Sequence, residues 1–171
     1  MNPYVALAEK AVNHYIKEAK IIEVPQELPE EFYSQRAGVF VTIHKGTELR
    51  GCIGTYLPTK QNIAQEIIIN AIEACSNDYR FEPIRQEELE DLHIQVSILS
   101  APIKIKSREE LDVKKYGVIV STKDGRKGLL LPDLEGVDTV SKQLEIASMK
   151  GDIDLDKEEA DIYKFEVIKY Q

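Results

Sequence analysis

The stretch GVFVTIHKGTELRGCIGT, residues 38–55, decides how this chain is read. Gly38 to His44 is rich in Val, Phe, Thr and Ile and alternates weakly, as a strand does. Lys45-Gly46-Thr47-Glu48 carries a turn signal, and Leu49 to Gly54 returns as a second strand. A hairpin here means antiparallel pairing. Its register stays open, because a slip of one residue exchanges the faces of Arg50 and Cys52. Two glycines in the returning strand, Gly51 and Gly54, mark a close approach either by ligand or by backbone. Between them lie an arginine with a planar anion-binding fork and a cysteine whose thiol a nearby cation would activate. The alternative is that Cys52 is a small apolar side chain and the glycines allow tight sheet packing.

Working outward, Asn2 and Pro3 form a helix start, and Tyr4, Leu7, Ala8, Ala11, Tyr15 and Ala19 recur at helical spacing. Glu23 to Gln35, with Pro25 and Pro29, reads as an exposed connection. Ile63, Ala64, Ile67, Ile68, Ala71, Ile72 and Cys75 give a wide apolar helix face, with Asn62 and Gln65 spaced as a capping box. After it, Asp78 and Arg80 read as a turn clasp with Phe81 plugging the core. Leu92 to Ser100 is a strand, with a short one after Pro102. Val118 to Ser121 and Gly128 to Leu131 flank the hairpin dipeptide Asp124-Gly125. Val137, Val140, Leu144 and Ala147 mark a helix that stops at Gly151, and Tyr163, Phe165 and Val167 share one face of a closing strand. Helices mixed with hairpins indicate an α+β protein with mainly antiparallel sheet.

The chain has 171 residues and a formal net charge of −8, which disfavours a nucleic-acid-binding face. No apolar run reaches the roughly 20 residues that span a bilayer, and the N-terminus has no secretory signal, so a cytoplasmic location is expected. Cys52 and Cys75 read as free thiols. A catalytic Cys52 needs a base, and His44 is the only histidine near it in sequence-plausible pairing. His14 and His93 read as surface or half-buried residues. No Cys or His spacing matches a structural metal site, so neither metal nor cofactor is expected. Asp152, Asp154 and Asp156 alternate like a calcium loop, but Lys157 and Tyr163 stand where its glycine and glutamate belong. A solvated acidic loop is the reading.

Five segments in order, GVFVTI (38–43), LRGCIGT (49–55), DYRFEP (78–83), EELEDLHIQVSILSAP (87–102) and GLLLPD (128–133), resemble the AMMECR family over nearly the whole chain. The resemblance departs after Pro132, where a tryptophan and cysteine common in that family are missing. It implies a two-lobed α+β fold: a larger lobe of about 1–100 plus 151–171 with an antiparallel sheet and helices, and a smaller lobe of about 101–150 with its own small sheet. It places the LRGCIG segment at a cleft between the lobes. A ligand or protein partner bound through Leu49, Arg50, Gly51, Cys52, Ile53, Gly54 and Arg80 is therefore expected, with a thiol enzyme using Cys52 as the alternative. The family's association with Memo-like and radical-SAM proteins implies a partner in a shared pathway.

Overall fold

The computed structural model describes residues 1–171. Helix α1 spans Pro3–Glu18 and is capped by Asn2, whose Oδ1 accepts from the Tyr4 N–H at 3.0 Å. A single helical turn, α2 (Glu31–Ser34), follows. Strands β1 (Gly38–Lys45) and β2 (Glu48–Thr55) then form the expected antiparallel hairpin. Its two-residue turn places Gly46 at φ +59°, the conformation a glycine-first hairpin turn requires. Helix α3 (Ile63–Ser76) starts at Asn62, whose Oδ1 accepts from the Gln65 N–H at 3.0 Å. The Gln65 side chain accepts from Gln61 rather than closing a capping box on Asn62.

The later elements are β3 (Leu92–Leu99), β4 (Ile103–Lys104), β5 (Gly117–Ser121), β6 (Lys127–Leu130), α4 (Val140–Lys150), β7 (Asp161–Phe165) and β8 (Val167–Tyr170). They complete two four-stranded sheets, ordered β2-β1-β3-β8 and β4-β7-β5-β6. The chain divides into two compact units: Met1–Leu99 with Ile168–Gln171, and Ser100–Val167. In the first, α1 and α3 cover one face of the sheet, and Val39, Val41, Ile43, Ile94 and Val96 point into that core beside Ile67 and Ala71. In the second, Val118, Val120, Leu130, Leu144 and Ala147 form a separate core between its sheet and α4. Thr139 caps α4, and the 124–125 turn sits at φ +92° on Gly125, as expected.

Three expectations change. Residues 151–167 join the smaller unit, because β7 pairs with β4 and β5; only Ile168–Gln171 return to the larger one. The closing strand is consequently two strands in two sheets, separated at Glu166, whose carbonyl and N–H are taken by the main chain and hydroxyl of Ser100. The connection over Glu23–Gln35 is not wholly exposed either. Phe32 is fully buried and stacks on Tyr4 at 4.5 Å between ring centroids.

Candidate functional site

The hairpin register places Cys52 opposite Thr42, Ile53 opposite Val41 and Gly51 opposite Ile43. The register then shifts, and Leu49 faces His44. Arg50 is the residue left over, a bulge that takes its side chain out of the ladder. The bulge aims the guanidinium at the segment after α3. Its Nε and Nη2 donate to the two carboxylate oxygens of Glu88 at 3.1 and 2.9 Å, Nη1 donates to the Glu82 carbonyl at 2.8 Å, and Nη2 also reaches the Pro83 carbonyl at 3.4 Å. Glu88 accepts further bonds from the Arg85 N–H and from Lys45 Nζ. Arg50 foremost, then the Arg85 N–H and Lys45, hold its carboxyl down at about 2 against the burial that would raise it.

Gly51 is buried against α3: a Cβ there would lie 2.1 Å from the Ala74 carbonyl oxygen. At Gly54 a Cβ would enter the Phe40 ring at 2.2 Å. Both glycines thus serve close approach by protein, one by helix backbone and one by an aromatic ring. Ile53 is half-buried and packs on the core, whereas Leu49 is exposed at the strand's start.

Cys52 has its main chain on the free edge of the sheet, since β2 is the terminal strand. Its N–H donates to Asp78 Oδ2 at 2.9 Å and its carbonyl accepts from Arg80 Nη2 at 3.2 Å. Arg80 in turn grips Asp78 through Nε and Nη2 at 3.0 and 2.7 Å. The pair occupies the edge as a neighbouring strand would, offering one acceptor and one donor to one residue. The bonds from Arg80, with those from the Cys52 and Arg80 main chain, hold the Asp78 carboxyl far below the usual carboxylate range despite its burial. Asp78 therefore pairs with Arg80, as the turn clasp predicts, and Arg50 pairs with Glu88. Ile84, buried beside the core, does the plugging expected of Phe81; Phe81 stays half-buried with the Arg80 guanidinium 5.4 Å over its ring.

The Cys52 thiol is half-buried and lies 3.3 Å from the Thr42 hydroxyl. His44, across from Leu49, makes no hydrogen bond to it. Cys75 is buried in α3, and desolvation foremost pushes its thiol up to about 12, which leaves it inert. No group of three or more His, Cys, Asp or Glu side chains converges as a metal cage. No helix is long and apolar enough to cross a membrane. The acidic loop after α4 is tied by Arg126, which pairs with Asp124 and Glu158 and donates to the Asp152 carbonyl.

Two residues that hold the site escaped the sequence reading. Glu88 lies 38 positions from Arg50 inside an acidic run, where nothing distinguishes it from Glu87 or Glu90. Glu66 carried a usable signal, a carboxylate amid the apolar face of α3. It is 1% exposed and accepts from the hydroxyls of Thr55 and Thr59 and from the N–H groups of Thr59 and Lys60. Burial works to raise its pKa, and these four bonds more than offset it, so the group stays below its ordinary value. Asn70, one turn further along α3, donates to the Val39 carbonyl and to the Thr55 hydroxyl. The far end of the signature strand is thereby anchored to α3.

The AMMECR1 family model matches residues 5–170. A Thermotoga maritima protein is 50% identical over 171 residues, covering 99% of this chain and 98% of its own. A Clostridium acetobutylicum protein is 49% identical over 99% of this chain, which spans 36% of that longer protein. The crystal structure of an uncharacterised Pyrococcus horikoshii protein superposes with a TM-score of 0.85 at 31% identity, over 97% of this chain and 88% of that one.

Proposed function

Because the chain belongs to the AMMECR1 family, we propose that it acts as a binding module whose recognition surface is the free edge of β2 together with the Asp78–Arg80 turn. One observation supports this reading above the rest. Arg80 is locked in place by Asp78 and the Cys52 carbonyl, yet its side chain is 44% exposed and Nη1 makes no bond within the protein. Beside it Tyr79 is 95% exposed. Arginine and tyrosine are both among the residue types enriched at binding hot spots. The uncommitted Nη1 suits a carboxylate, a phosphate or a main-chain carbonyl of the partner.

In this reading Gly51, Gly54 and Ile53 shape the strand, Arg50 positions the 82–88 segment, and Leu49, the Cys52 thiol and Arg80 face the partner. The thiol has a hydroxyl neighbour and no imidazole or carboxylate base, which favours binding over nucleophilic catalysis by Cys52. Memo-like and radical-SAM proteins, the associations implied by the sequence resemblance, are the first partners to titrate. We expect Tyr79→Ala to weaken the complex at least about tenfold. Its unfolding midpoint should remain that of the parent, since so exposed a residue contributes little to stability. Unchanged affinity in direct titration by the Tyr79→Ala and Arg80→Lys variants would remove this surface from the reading.

A further inference from the structure

The geometry points to a two-imidazole site for a borderline divalent cation, Cu(II), Ni(II) or Zn(II), formed by His44 and His93. These residues lie 49 positions apart in sequence, so no ligand-spacing motif joins them. The antiparallel pairing of β1 with β3 sets them directly opposite one another. Each is the next residue along its strand from a core residue, Ile43 or Ile94, and both line one surface pocket at that end of the sheet. Opposed side chains on adjacent antiparallel strands have Cβ atoms about 4.5–5.5 Å apart. From that separation two imidazole nitrogens can converge on one ion at the roughly 2.0–2.1 Å of a metal–histidine bond.

The surroundings suit an ion. Both histidines line a surface pocket of about 670 Å³, with Gln95, Gln171, Met1 and Glu9 among its walls. Neither ring hydrogen-bonds or ion-pairs with another protein group, in contrast to His14, which sits 3.4 Å from Glu18. The ring nitrogens are therefore available as ligands. Gln95 lies two residues from His93 on the same strand face and is fixed by the Gln171 amide at 2.9 Å. The Gln171 amide oxygen stays available to accept a hydrogen from a metal-bound water or from the outer N–H of a ligating imidazole, the kind of supporting contact that orients such ligands. The Glu9 carboxylate is in no ion pair and adds negative potential at the wall. The net charge of −8 favours cations generally. Two protein ligands leave the remaining coordination positions to water, which makes this an exchangeable site rather than a structural one. The Irving–Williams order ranks Cu(II) above Ni(II) and Zn(II).

The test is titration of the full chain with Zn(II) followed by the imidazole proton resonances, and with Cu(II) followed calorimetrically. One equivalent should bind, and the His44 and His93 signals should move together while those of His14 stay fixed. His44→Gln and His93→Gln should each weaken binding at least about tenfold with the fold intact, because His44 is only half-buried and His93 is exposed. Cys52→Ser should bind as the parent does. The site is overturned if neither ion binds below millimolar concentration, if His14 responds in place of the pair, if either histidine substitution leaves affinity unchanged, or if Cys52→Ser abolishes binding.

Discussion

Glu88 settles what Arg50 can do. A fork-to-fork pair with a carboxylate of 14% exposure, plus two main-chain carbonyls, leaves the guanidinium little capacity for a ligand. Arg50→Ala would strand Glu88 and the Glu82 carbonyl, and we expect a loss of about 1.5–3 kcal/mol at pH 7, the usual worth of hydrogen bonds to a charged group. The same pair fixes the acid response. Folded Glu88 titrates near 2, against an ordinary value of 4.5. Its contribution is complete above pH 4.5, where both states are ionised. Below that the unfolded chain binds the proton first, so stability falls until the folded carboxyl protonates near pH 2. Asp78, held lower still by Arg80, extends the same limb. Denaturant titrations of Glu88→Gln should accordingly show a flatter stability profile between pH 4.5 and 2; a profile parallel to the parent's would mean the pair carries no such linkage.

At the scale of elements, β2 is clamped from several sides: Gly51 on the α3 backbone, Arg50 on the 82–88 segment, Cys52 on Asp78 and Arg80, and Thr55 on Glu66 and Asn70. The Gly51 contact is with a helix carbonyl, which cannot rotate away as a side chain could. Gly51→Ala should therefore cost about 3 kcal/mol, the upper end for overpacking. Ile67→Ala, from a fully buried position on the same helix, gives the scale at about 2–5 kcal/mol. Denaturation midpoints of the two variants check this, and a Gly51→Ala protein as stable as the parent would show that β2 can lift off α3 freely. These elements differ in how openly the sequence announces them. The α3 face is a run of apolar residues at one helical spacing, so periodicity suffices. The bulge at Arg50 is invisible, because glycines and a mixed pattern satisfy either register. Contacts from Asp78 to a main-chain N–H leave no mark on the identity of Cys52 at all.

For the whole molecule, the closing residues misled for a related reason. Alternation over residues 161–170 signals strand without saying which sheet receives it. Pairing gives β7 to one sheet and β8 to the other. The unit Ser100–Val167 has its own core, and its two ends are fastened by the Ser100 N–H on the Glu166 carbonyl at 2.9 Å and the Glu166 N–H on the Ser100 hydroxyl at 2.8 Å. A segment with adjacent ends and an independent core meets the conditions for folding alone. Residues 100–167 expressed separately should give a cooperative thermal transition and dispersed amide resonances; a chain lacking both would show that the unit depends on the rest of the protein.

That insertion also sets an order of events at the ribosome. Strand β8, which borders β3, is encoded after the entire inserted unit. At about 5–20 residues per second, several seconds of synthesis separate β3 from its neighbour. During that interval the outer edge of β3 lies open, with its main-chain donors and acceptors unmatched, and the insert itself stays incomplete until β7, which joins β4 to β5, has emerged. The nascent chain thus carries an unpaired strand edge while polysomes bring identical chains together.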